Sequence, residues 1–239
     1  MFHVGRCGST VLANMLGDHS GVHWSKEIFT RFMSNQDQHG EKLVKREIRY
    51  HRSLRRSKIF GFETKYLPNQ HLSEVCVAMD IKGYIKLLKQ LGFNKYIILH
   101  RKNYLRRAIS AEIGKKNGYW HSKEPAKNPT KVSINISSVK TGVTDEPLLD
   151  SFRRIDENYA LLQDALKEEK TLFLNYEDHI LTDPNIAYEK VCDFLGLKNE
   201  HPSIRLKRIN PFNYDEVLVN FEELEKLLID TEYEWMLED

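Results

Sequence analysis

The chain has 239 residues, of which 41% are hydrophobic and 29% charged. That composition excludes a disordered polypeptide, and a chain of this length buries a core without disulfides or metals. Thirty-six basic and 34 acidic residues leave +2, too small an excess to predict a nucleic-acid partner. No run approaches about 18 uncharged apolar residues, so no membrane span is expected. The first residues show no basic region followed by a long apolar one, hence no signal peptide. Cys7, Cys76 and Cys192 form no CxxC pair. Free thiols in a reducing compartment, and so a cytoplasmic location, are expected.

Phe2 to Val4 is a short apolar run, followed by a glycine-containing turn and by Thr10 to Leu16 at helical spacing. Lys42 to Lys58 carries eight Lys/Arg against Glu47 alone; this is read as a solvated helix face that is also suited to an anionic substrate. Lys58 to Glu63 alternates and predicts a strand. Asp80 caps a helix running through Ile81, Tyr84, Ile85, Leu88 and Leu91, with Gly92 past its end. Phe93 to Leu99 reads as a buried parallel strand. Asn103 then caps a helix to about Lys116.

Gly118 to Pro147 is polar and holds three prolines. It is expected to be a long functional loop or lid. Leu148 to Leu166 is helical and Thr171 to Leu174 extended. Asp183-Pro184 opens a helix that Gly196 ends. Asp215 to Asp239 has ten acids against Lys226, a solvated helical surface. Strands alternating with helices predict one α/β domain over residues 1–239, three layers deep, its central, mostly parallel sheet flanked by helices.

Two segments carry chemistry. Gly5-Arg6-Cys7-Gly8-Ser9-Thr10 joins the first strand to the first helix. Such a turn directs backbone N–H groups and the positive end of a helix toward an anion. Gly5 and Gly8 permit close approach, Ser9 and Thr10 add hydroxyls, and Arg6 adds a fixed charge. No Lys stands between Gly8 and the hydroxyls, so this is not the GxxxxGK[ST] loop of a Mg-nucleotide enzyme. Position 13 is Ala, which excludes a CxxxxxR phosphatase loop. The second segment is Arg101, leaving the strand end Ile97-Ile98-Leu99-His100, with Ser110 on the helix that follows. α/β sheets bind ligands at such strand ends, and a guanidinium with a hydroxyl can hold a phosphate. No DxD, HExxH or CxxC motif is present, and no metal is expected.

The first loop resembles the 5′-phosphosulfate loop of sulfotransferases that use 3′-phosphoadenosine 5′-phosphosulfate, many of which carry [KR]xG[ST][ST]. Arg101 and Ser110 resemble their 3′-phosphate motif. The spacing here is nine, against eight in the animal cytosolic branch, which leaves Lys102 as an alternative to Arg101. Asn175-Tyr176-Glu177-Asp178, Asp183-Pro184 and Phe194-Leu195-Gly196-Leu197 are similar to the family's late YED, DP and FLGL stretch. The resemblance implies a P-loop-NTPase-like sulfotransferase fold, nearer the bacterial and carbohydrate-type enzymes. It implies a sulfuryl transfer to an acceptor hydroxyl, on a carbohydrate or other small molecule, leaving 3′,5′-adenosine bisphosphate. By resemblance, Arg6, Cys7, Gly8, Ser9, Thr10, Arg101, Ser110, Tyr176 (beside the adenine), Lys207 and Arg208 bind the nucleotide.

An acceptor hydroxyl needs a base within hydrogen-bond reach. Carbohydrate-type members place a Glu shortly after the first helix, which here is Glu27. The alternative is the segment Glu63-Thr64-Lys65-Tyr66, where cytosolic members have Lys-Thr-His. The histidine is absent here, which favours Glu27, with Lys65 and Arg6 assisting the leaving group. Acceptor contacts are expected from Ser25–Phe32 and from residues 118–147. Two rival readings are a small-molecule kinase with a degenerate phosphate loop and a non-catalytic nucleotide-binding module.

Overall fold

A computed structural model describes residues 1–33, 40–54 and 58–238. Arg55 and Arg56 of the basic run and Asp239 of the acidic tail lie outside the described residues. In chain order the elements are β1 (Phe2–His3), α1 (Ser9–Asp18), β2 (Val22–Trp24), α2 (Gly40–Ser53), β3 (Ile59–Gly61), β4 (Thr64–Lys65), α3 (Ile81–Gln90), β5 (Tyr96–His100) and α4 (Tyr104–Asn117). They continue as β6 (Val139–Thr141), β7 (Thr144–Glu146), α5 (Leu148–Ala165), β8 (Thr171–Asn175), α6 (Tyr176–His179), α7 (Pro184–Leu195), α8 (Tyr214–Val217) and α9 (Phe221–Leu228).

The apolar run of β5 organises the layers. All five residues are buried, and successive side chains of a strand point to opposite faces. Tyr96 and Ile98 join Tyr84 of α3, Ile109 of α4 and Phe152 of α5 in one core. Ile97 and Leu99 join Leu12 and Met15 of α1 and Tyr188 and Val191 of α7 in another. A strand buried on both faces needs helices above and below it, as parallel sheets do. The sheet order is β4-β1-β5-β8 and every pairing is parallel. The three-layer α/β architecture is therefore present.

Local chemistry sets the helix ends. Asp80 accepts a hydrogen bond from Gly83 N at 2.7 Å, Asn103 from Arg106 N at 2.7 Å and Asp183 from Asn185 N at 3.0 Å. These are side-chain N-caps, each satisfying one amide that the helix leaves open.

Two expectations need correction. The strand expected over Lys58 to Glu63 is present but confined to β3, and a second strand, β4, follows it directly. β3 pairs with β2, which the sequence did not announce, and β4 pairs with β1 in the main sheet. The chain leaves the first ladder at Phe62, and Glu63 N donates to Lys26 O at 2.8 Å. An alternating pattern specifies extended backbone but not its partner. The polar segment 118–147 is not structureless either. β6 and β7 form an antiparallel hairpin, and Val132 exchanges backbone hydrogen bonds with Val217 and Val219. Strands of three residues with Lys140 and Asp145 mid-strand carry too little periodicity to be read. No helix among the described residues is long and apolar enough to cross a membrane.

Candidate active site

A cleft of about 720 Å³ opens where β1, β4 and β5 end. It is lined by Arg6, Gly8, Ser9, Thr10, Glu27, Lys65, Arg101, Ser110, Tyr176, Lys207 and Arg208, so eleven candidate residues, from position 6 to position 208, share one cavity. Cys7 is the exception. Its side chain is fully buried with Leu12 and Met15, and burial pushes the thiol up to about 11. It fills the turn and adds no thiolate to the cleft.

The loop after β1 takes its shape from left-handed backbone. Gly5, Arg6 and Gly8 have φ of 81°, 57° and 81°. Glycine adopts this region without strain, whereas Arg6 does so at a cost. A Cβ on Gly8 would fall 2.5 Å from Ile180 Cγ2. No side chain caps the start of α1, and no acid lies in its first turn. The first amides of the helix, which have no intrahelical partner, therefore remain for an anion.

Arginines surround this loop. Arg6 donates from Nε and Nη2 to Ser110 Oγ, at 3.1 and 2.8 Å, and from Nη1 to the Trp120 carbonyl at 2.8 Å. Arg101 donates to the Arg6 carbonyl at 2.9 Å and lies 4.3 Å over the Tyr176 ring. Arg107 donates to the Val4 carbonyl at 3.1 Å. The Nε atoms of Arg101 and Arg107 are buried without a hydrogen-bond partner, and among the described residues none of the three guanidinium groups forms an ion pair with a carboxylate. Burial lowers all three pKa values, that of Arg6 to about 10. Buried cations are ordinarily paired; here the nearest counter-charge in the electrostatics of the three is Glu177, which acts on Arg101 without an ion pair. Lys102 reaches Asp178 on the surface at 3.0 Å and does not line the cleft, which leaves Arg101 at the strand-end position. Ser110 meets Arg6 rather than Arg101, and one face of Tyr176 is covered by Arg101.

Glu27 and Lys65 form a second group. Lys65 Nζ lies 2.7 Å from Glu27 Oε2, which also accepts from Thr30 Oγ1 at 2.7 Å. Burial opposes the charged form of Glu27, but His3, Lys65 and Thr30 outweigh it and hold the carboxyl down to about 2. The Lys65 stem passes 3.4 Å from where a Gly5 Cβ would be, so this cation serves the loop as well. Beneath lie His3 and Glu63, both buried. Gly5 N donates to His3 Nδ1 at 3.0 Å, which places the ring proton on Nε2. That atom points between Glu63 Oε2, at 3.5 Å, and Glu27 Oε1, at 3.7 Å. Ligand atoms of the three residues lie within 4.8 Å of one another, close enough for a metal ion, but a protonated Nε2 has no lone pair to offer one. Burial and then the Glu27 charge push the Glu63 carboxyl up to about 7.

Arg106, Arg107, Gln70, Trp120 and His121 also line the cleft and escaped the sequence reading. Arg106 and Arg107 carried a usable signal. They stand in the first turn of α4, which has no acid, and cations there oppose the helix dipole. A local rule broken this way points to an external anion. Trp120 and His121 carried none, because a tertiary strap places them: Lys207 N donates to the Ser122 carbonyl at 2.8 Å and closes residues 118–122 against 206–210.

No family model matches the sequence, and no curated protein matches it. Among solved structures, the chain is similar to a sulfotransferase from Alicyclobacillus acidocaldarius, with a TM-score of 0.51 and 14% identity over 95% of this chain and 90% of that one. At this identity the likeness establishes a sulfotransferase-type fold.

Proposed function

We propose that the protein is a sulfotransferase that moves a sulfuryl group from 3′-phosphoadenosine 5′-phosphosulfate to an acceptor hydroxyl on a carbohydrate or other small molecule. The observation that carries this is the meeting of Arg6, Arg101 and Arg107 around a helix start with no side-chain cap, with no carboxylate ion-paired to them among the described residues. A donor with anions at both 5′ and 3′ positions fits that cation set, and its base fits the apolar wall of Ile180, Pro184, Leu206 and Ile209. The donor supplies a sulfuryl group bonded to a phosphate that leaves readily.

In this reading the α1 amides and the Ser9 and Thr10 hydroxyls hold the 5′ end. Arg101 and Ser110 hold the 3′ phosphate, and Lys207 and Arg208 close over it. Tyr176 stacks under Arg101 and offers its remaining edge to the base. Arg6 and Lys65 place positive charge where the leaving oxygen develops negative charge, the largest contribution in transfers of this kind. Glu27, fixed by Lys65 and Thr30, receives the hydrogen bond of the acceptor hydroxyl.

Calorimetry with 3′,5′-adenosine bisphosphate and with ATP, each with and without Mg²⁺, tests the proposal. Preferred binding of the bisphosphate, indifferent to Mg²⁺, is expected. A preference for Mg-ATP would replace the proposal with a kinase. Bisphosphate binding without sulfuryl transfer to any hydroxyl in a labelled-donor screen would leave a binding module.

A further inference from the structure

Two carboxylates share the floor of the cleft, and their surroundings differ in kind. Glu27 has an ammonium at 2.7 Å and a hydroxyl at 2.7 Å. Glu63 is 2% exposed and, among the described residues, has no lysine or arginine partner. It accepts from the Trp24 indole N–H at 3.3 Å and from the Ser9 hydroxyl, and its Oε2 lies 3.5 Å from His3 Nε2. A carboxylate paired with a cation is a weak base, whereas one buried with neutral donors beside a second negative charge is a strong one.

We propose that Glu63, not Glu27, is the group on which the proton of the acceptor comes to rest, with His3 as the positioning residue that aims both carboxylates. This rests on the sulfuryl-transfer reading above and adds a residue to it. As the acceptor oxygen bonds to sulfur, its O–H bond breaks and the proton lands on Glu27 Oε1. The S–O bond to the 5′ phosphate breaks, and its electron pair stays on the phosphate. Glu27, restored to its anion by Lys65, passes the proton through one bridging water to Glu63, whose carboxyl oxygen lies within 4.8 Å. Glu63 releases it to solvent through the cleft that it lines. The break between β3 and β4 is what allows this, because it turns position 63 out of either ladder.

Among the described residues the charged and titratable groups around Glu63 are Glu27, His3, the buried Cys7 thiol and the amino group of Met1, with Lys65 and His71 acting on His3 beyond them. His3 and His71 are held down to about 3 by burial and stay neutral. His71 accepts from Lys65 N on Nδ1 at 3.0 Å, as His3 accepts from Gly5. Neither ring carries a transferable charge near neutrality, so the titration there belongs to the carboxylate pair.

Infrared difference spectroscopy of the free protein across pH reads this without turnover. A protonated-carboxyl band that disappears as pH rises through about 7 is expected. It should be absent in Glu63→Gln and retained in Glu27→Gln, where it disappears at lower pH because the neighbouring charge is gone. A wild-type protein without the band, or a band lost in Glu27→Gln and kept in Glu63→Gln, would overturn the proposal. In turnover assays Glu63→Gln should lower kcat about 100-fold or more and flatten the acid limb of its pH profile, with bisphosphate affinity unchanged. An unchanged limb would also overturn it. Glu63→Asp keeps a carboxyl at this position and should retain the infrared band if Glu63→Gln does not fold. A chain that shows the band but transfers no sulfuryl group would sink the functional reading and leave the carboxylate assignment standing.

Discussion

Arg6 and Ser110, 104 positions apart in sequence, are joined by a fork in which one guanidinium gives two hydrogen bonds to a single hydroxyl. The loop after β1 and the helix after β5 thus meet side chain to side chain. The fork joins the cation of the first loop to the hydroxyl of α4 on the wall of one cleft.

Arg101→Ala should weaken 3′,5′-adenosine bisphosphate by about 10- to 100-fold, the range of a charge-assisted hydrogen bond. Affinity for 5′-AMP, which has no 3′ anion, should change only a few-fold. Titration of both ligands into both proteins decides it. Equal losses would mean that Arg101 serves the Arg6 carbonyl and the Tyr176 ring alone.

Gly8→Ala should lose nucleotide binding and cost more than about 1 kcal/mol of stability, since the residue sits at positive φ and its Cβ meets Ile180. Gly92→Ala is the control. Its φ is 84° but nothing lies within 4 Å of the added carbon. Denaturant melts should show the smaller, purely backbone effect at position 92, with binding intact.

The carboxylate pair makes opposite predictions about stability and pH. The Glu63 carboxyl rises from 4.5 to about 7 on folding, so the folded chain binds more protons in that window and loses stability as pH climbs through it. Glu63→Gln removes the loss. Its melting temperature relative to wild type should increase between about pH 4.5 and 7, by the equivalent of roughly 3 kcal/mol at most. The Glu27 carboxyl falls from 4.5 to about 2, so its contribution is present above 4.5 and lost as pH drops toward 2. Glu27→Gln should be destabilised near neutrality and match wild type in acid. Parallel shifts in the two variants would refute the assignment.

Lys65→Met should raise the Glu27 carboxyl, because the ammonium at 2.7 Å is gone. Turnover should fall about 100-fold or more through loss of charge at the leaving oxygen. Single-turnover rates should carry the loss, and bisphosphate affinity should change little. A large loss of affinity with normal turnover would make Lys65 a binding cation only.

Elements with strong local signals were legible in the sequence. Asp80, Asn103 and Asp183 cap the helices they precede, and the apolar run of β5 is buried on both faces, because caps and continuous apolar strands act within a few residues. The glycine-containing turn between β1 and α1 was readable for the same reason. What escaped depends on partners far along the chain. The two ladders of residues 58–65 differ only in which strand waits beside them. Residues 118–147 gain structure from Asn69 and Val217, and a Cβ on Gly142 would fall 1.7 Å from the Asn69 carbonyl. His3 escaped because one buried histidine acquires meaning only when β4 sets Glu63 against it.

The three guanidinium groups around the first loop also bear on handling. Arg6 and Arg107 each feel the charge of Arg101, so the folded chain stores mutual repulsion beside that loop. Any small oxyanion that enters relieves it and, by mass action, favours the native chain. Preparations kept in sulfate or phosphate should withstand heat better than those in chloride, and nucleotide affinities measured in them should look weaker by competition.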